Sequence, residues 1–193
     1  RLTLDTGYDM MKKATVRRVL KHMSNKPRRA WVSVPFTPRS AMHNFNQKPR
    51  QRRARKRARQ ESRLLLGHVL QILKKMVGRR RHWYFEWPSQ CQGWALPELV
   101  AFRSHCIQKG CPVYRVRIDG CTYGLMSKEK PGTYLKKPWA ILTSDPTFGS
   151  ACGRCCQGTH HHTWVMGRDT NRSGFYPMAM AEAIARHWDP SCG

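Results

Sequence analysis

Apolar positions along this chain change their period block by block, and the changes mark its elements. Over residues 10–23, Met10, Met11, Ala14, Val19 and Met23 are spaced as on a helix among lysines and arginines, and Pro27 lies just beyond. Leu2 and Leu4 before them read as the end of a strand. Trp31–Val34 is a short apolar run cut off by Pro35 and Pro38, the pattern of a buried strand that runs into a loop. Leu64, Leu66, Val69, Leu70, Leu73, Met76 and Val77 form the stripe of a long helix that packs a core. His82–Glu86 is the next buried strand, and Leu96–Ile107 is a helix with Pro97 near its first turn. Val113–Ile118 alternates apolar and basic residues like a strand near an edge, and Asp119-Gly120 turns it. Ala140–Thr143 predicts another strand, residues 149–163 read as irregular, and Tyr176–Trp188 closes as an amphipathic helix.

Strands and helices alternate throughout. The pattern predicts an α/β fold: a partial Rossmann-like, doubly wound, mostly parallel sheet with an irregular Cys/His-rich segment near the C-terminus. Residues 1–148 and 174–190 are expected to form the core, with a basic segment over 48–63 inside it and 149–173 as a Cys/His-rich loop insertion. With Arg1 in place of an initiating Met, the chain is expected to be a piece of a longer product, and no internal repeat is present.

Charge narrows the functional classes. A formal net charge of +25 and a pI near 10.6 favour a polyanionic partner, with nucleic acid, DNA or RNA, first. Residues 48–63 carry nine Lys or Arg against one Glu. Arg52, Arg53, Arg55, Lys56, Arg57 and Arg59 are the candidate phosphate contacts, and a solvated face or a nuclear-import signal is the plainer reading of the same run. Lys136 and Lys137 belong to a second basic patch. No apolar run approaches 18 residues, so no membrane span is expected, and an intracellular location follows from the partner class.

Three short motifs then come in a telling order: Pro35-Phe36 through Ser40, Phe85-Glu86-Trp87-Pro88, and Gly174-Phe175-Tyr176-Pro177 before the last helix. With Gly7-Tyr8-Asp9-Met10 ahead of them and Tyr123-Gly124 between, the series resembles the cytosine-5 DNA methyltransferase family, in a divergent branch carried by retroelement polyproteins. The resemblance implies that Phe36 stands at the nucleophile position, where the family has cysteine. It implies that Glu86 stands at the position of the acid that hydrogen-bonds the cytosine ring, and that Asp9 lies in a cofactor-side segment. Lys136 and Lys137 would replace the arginines that hold the glutamate. Phenylalanine has no lone pair with which to attack the ring, so methyl transfer by the usual route is not expected. The chain begins after the place of the Gly-rich turn, so S-adenosylmethionine is not expected to bind these residues alone. The plainer reading of Glu86 is a turn cap at a strand end.

A second chemistry lies near the C-terminus. Cys152, Cys155, Cys156, His160, His161 and His162 fall within eleven residues. Zinc takes four sulfur or nitrogen donors in a tetrahedron, and Cys156, His160 and His162 supply three. Cys121, after one strand, or Cys91, after another, is the candidate fourth. The spacing matches no standard zinc knuckle; free thiols beside exposed histidines are the plain alternative, and a catalytic metal is another.

The expectation is a nucleic-acid-binding, catalytically inactive methyltransferase-like domain. Two alternatives stay open: an active methyltransferase or other S-adenosylmethionine-dependent transferase, and a zinc-stabilised interaction module of a polyprotein.

Overall fold

The apolar runs around Trp31 and Trp83 become paired strands because neither can bury its backbone alone. In the computed structural model, which describes residues 7–23, 27–34, 49–189 and 191, the chain divides into two units. The first comprises Arg1–Val113 with Thr143–Asp145, the second Tyr114–Leu142 with Pro146–Gly193. Leu2, Leu4, Pro35, Phe36 and Ser40 lie outside the described residues.

In the first unit, α1 (Lys13–His22) precedes β1 (Arg29–Ser33), α2 (Pro49–Gly78), β2 (His82–Pro88) and α3 (Pro97–Gln108). Strands β1 and β2 pair in parallel, with Ser33 opposite Glu86. A parallel strand covered on both faces needs a continuous apolar run, and β2 has one: Trp83, Tyr84, Phe85 and Trp87 are all buried. Trp83 meets Phe102 edge to face at 5.0 Å, and Phe85 meets Trp87 at 4.8 Å. The indole Nε1 of Trp87 donates to the Val34 carbonyl at 2.9 Å, which ties the end of β2 to the end of β1.

Helix α2 carries two sequences in one element. Its second half holds the predicted stripe, and Leu66, Leu70, Leu73, Met76 and Val77 are buried. Its first half is the basic run, in which Arg57 pairs with Glu61 one turn on at 2.9 Å. Arg63 reaches across to Glu98 of α3 at 2.6 Å. The helix continues through the charge run because the apolar half is anchored, so helix formation propagates outward from a packed nucleus. Arg80 ends it in a left-handed conformation, φ 52°, a place where glycine is usual.

The second unit contains β3 (Tyr114–Asp119), β4 (Tyr134–Leu135), β5 (Pro138–Thr143, its last residue in the first unit), α4 (Phe148–Cys152), β6 (His162–Thr163), α5 (Arg168–Arg172) and α6 (Met178–Trp188). Strands β3 and β5 are hydrogen-bonded neighbours, and β4 pairs with β6 in parallel. The core gathers Ile118, Trp139, Ile141, Phe148, Met180 and Ile184.

The architecture is therefore mixed α/β with parallel strand pairs. Two segments differ from expectation. Residues 149–163 are not wholly irregular: α4 reaches to Cys152 because Phe148 and Cys152, four apart, are both buried, and His162 opens a strand. Residues 149–173, expected as a loop insertion, contain the end of α4, β6 and α5, with β6 paired to β4 in the second unit. A two-residue strand has too few positions to show a period, so sequence pattern had no signal for β4 or β6. No described helix is long and apolar enough to cross a membrane.

Candidate metal centre

Strand β3 leads directly into a 3-10 turn over Gly120–Tyr123, and that turn presents Cys121. Gly120 is required there, since a β-carbon would stand 2.8 Å from both Leu125 and Trp139 side-chain atoms. The chain returns beside β3 at Arg154, whose carbonyl accepts from Asp119 N–H at 2.8 Å. Cys156 follows two residues later. Its loop closes through Gly158, at φ +77°, whose N–H points to the Cys156 sulfur at 3.3 Å. His160 and His162 then come in at the start of β6, held by the β4–β6 register Tyr134↔His162.

The result is one cluster. The ligand atoms of Cys121, Cys156, His160 and His162 all lie within 4.8 Å of one another. The Cys156 sulfur is 3.6 Å from Nε2 of His160 and 3.5 Å from Nε2 of His162. A tetrahedral ion with metal–sulfur bonds of about 2.3 Å and metal–nitrogen bonds of about 2.0–2.1 Å sets sulfur and nitrogen donors about 3.5–3.6 Å apart. The spacing fits, and the cluster could hold a metal ion.

Burial shifts the protonation of two members of the cluster, His162 and Cys121. Burial, with the nearby charges of His160 and Lys136, holds the His162 imidazole below its ordinary range, so it is neutral at pH 7 and able to ligate. Burial first, then the hydrogen bond and charge of Cys156, push the Cys121 thiol up to about 11. Two sulfurs this close repel as thiolates, and a divalent cation between them reverses that balance.

Residues around the ligands fix their positions. The Asp119 carboxylate is buried, is gripped by the Arg117 guanidinium at 2.8 and 3.1 Å, and accepts the Cys156 N–H at 2.8 Å. The ring of Tyr134 lies 4.1 Å from that of His160, centroid to centroid. Asp119 was expected only to turn the chain after its strand, and Tyr134 had no assigned role. The signal was the Arg117-x-Asp119-x-Cys121 alternation, in which positions two apart along a strand share a face.

The comparisons with known proteins come out blank. No family model, curated protein or solved structure matches the chain. Its function is therefore argued from its own residues.

The other predicted residues fall in separate places. Cys91 belongs to the first unit, where its sulfur accepts from Gly93 N–H at 3.3 Å, and it is not in the cluster. Glu86 is buried near the end of β2 and accepts a hydrogen bond from Ser33 Oγ at 2.6 Å. Asp9 precedes α1 and accepts from Met11 N–H at 3.0 Å. Arg53, Lys56, Arg57 and Arg59 are exposed on α2; Arg52 and Arg55 belong to the same helix, and their side chains fall outside what is described. Lys136 lies over the ring of Trp164, whereas Lys137 donates to the carbonyl and hydroxyl of Ser173.

Proposed function

We propose that this chain is a zinc-stabilised nucleic-acid-binding module that performs no methyl transfer. The observation that carries the reading is the first half of α2. It lays Arg53, Lys56, Arg57 and Arg59 in solvent on a helix, in a chain of net charge +25, with one described acidic residue, Glu61, nearby on that helix. Such a helix neutralises phosphates and releases counterions, so its affinity is largely independent of base sequence and steep in salt. Zinc is the ion favoured by two thiols and two imidazoles in a tetrahedron. Four protein donors fill its coordination sphere and leave no position for a reactive water, which makes the ion structural. The test is anisotropy of a labelled duplex titrated at rising salt. A steep loss of affinity, abolished by deleting residues 50–59, is expected; salt-independent affinity overturns the reading.

A second reading concerns descent. Parallel strands β1 and β2 set Ser33 against Glu86, and the chain leaving β1 passes to Phe36 three residues on. This supports the kinship with cytosine-5 methyltransferases of a Rossmann-like, doubly wound type, in which a nucleophile loop and a glutamate follow neighbouring parallel strands. Phe36 then explains a retired active pocket. Transfer of a labelled methyl group from S-adenosylmethionine, lost in Glu86→Gln, would replace this reading with an enzyme.

A further inference from the structure

Two residues beyond the ligand His162, the indole of Trp164 stands 65% exposed. It is not abandoned to solvent at random. Lys136 N–H bonds the Thr163 carbonyl at 3.0 Å, which extends the β4–β6 pairing by one step, and Lys136 Nζ sits 5.5 Å from the Trp164 ring centroid. Along paired strands, positions two apart share a face. One face of the ribbon therefore carries Tyr134 and Lys136 on one strand and His162 and Trp164 on the other. The Tyr134 ring lies against that of His160, tilted by 39° with centroids 4.1 Å apart, so the cluster braces the same face that presents the indole. A flat aromatic surface beside a cation, in a chain this basic, is complementary to a base and its phosphate.

We propose that the β4–β6 ribbon binds single-stranded nucleic acid, with one base stacked on Trp164 and Lys136 turned from the indole to the adjoining phosphate. The proposal rests on the nucleic-acid reading above and deepens it: α2 holds any phosphate backbone, and the ribbon selects unpaired strands. Duplex bases have their faces occupied by one another, so only a single strand can offer one to the indole.

The experiment compares oligo(dT), oligo(rU) and a DNA duplex, binding each to the 193-residue chain by anisotropy and by quenching of tryptophan fluorescence. Both single strands are expected to quench, and Trp164→Ala to weaken them about tenfold or more while leaving the duplex unchanged. Trp164→Phe keeps an aromatic face and retains most of the single-strand affinity without that indole's quench. Lys136→Ala weakens single strands by a smaller factor. Circular dichroism and zinc content verify that each variant is folded. Equal affinity of Trp164→Ala and wild type for single strands overturns the proposal, as does an equal loss for single strands and duplex. If the wild type binds neither, the nucleic-acid reading fails as well; if it binds both and Trp164 is indifferent, only the stacking proposal fails.

Discussion

Glu86 in the first unit and Cys121 in the second are reached in similar ways: each stands at or just beyond the C-terminal end of a strand whose last residues are buried. Their surroundings differ. Glu86 accepts a hydrogen bond from the Ser33 hydroxyl, whereas the sulfur of Cys121 lies within 4.8 Å of the ligand atoms of a second thiol and two imidazoles. A buried carboxylate that accepts from a neighbouring hydroxyl is what packing requires of any polar group carried inside. Four soft donors within 4.8 Å is more than packing requires, because two thiols and two imidazoles gain little from one another without a cation. The difference teaches that residue type at a strand end is weak information, and that convergence of several donors is strong.

The largest effect expected from this comparison is on the metal side. Purified protein should hold about one zinc per chain, and Cys156→Ser should release it and lower the stability of the second unit by about 4 kcal/mol or more, read by metal analysis and denaturant unfolding. A variant that loses no stability would reduce the cluster to adjacent thiols and histidines.

The next effect is on pH. In the absence of a cation the Cys121 thiol is protonated up to about pH 11, so an ion binding at neutral pH must expel that proton. Affinity should therefore rise with pH, about tenfold per unit for each proton displaced, and fall on acidification. Competition with a zinc-sensitive dye across a pH series measures the slope, and a flat line would mean that no thiol proton is lost.

On the other side, Glu86→Ala should cost about 1 kcal/mol, because it removes one side-chain hydrogen bond and leaves the exposed Ser33 hydroxyl to water, while nucleic-acid affinity stays at the wild-type value. A loss of affinity at unchanged stability would give Glu86 a role in binding and blur the contrast between the units.

Thiol reactivity sharpens the same contrast. Burial, together with the neighbouring Cys111, pushes Cys106 up to about 12, so at about pH 8 it should resist alkylation in the folded chain while exposed Cys155 reacts. Peptide mapping after brief labelling distinguishes them. The smallest effect belongs to the end of α2: Arg80→Gly should stabilise the first unit by about 1 kcal/mol by relieving the left-handed backbone. An unchanged unfolding midpoint would show that the turn carries no such cost.

Much of the fold was legible because its long elements carry strong periods. The predicted stripe is buried from Leu66 to Val77 of α2, while Leu64 at its start is exposed, and the run from His82 became a strand buried over Trp83–Trp87. The like-charged run before Leu64 is helical from Pro49, continuous with the anchored half. Strands β4 and β6 were illegible, since two residues define no alternation. Their pairing depends on a chain that returns from far along the sequence.

Composition and order alone determined the excess of positive charge, the helix and strand periods, and the set of donors available to a metal, because each is a property of residues taken singly or of near neighbours. Only the tertiary structure decided that Cys121, thirty-five residues from Cys156, is the fourth member of the cluster and Cys91 is not. That choice depends on which loops the strand pairings bring together, and long-range pairing is fixed by collective burial, which no local pattern records.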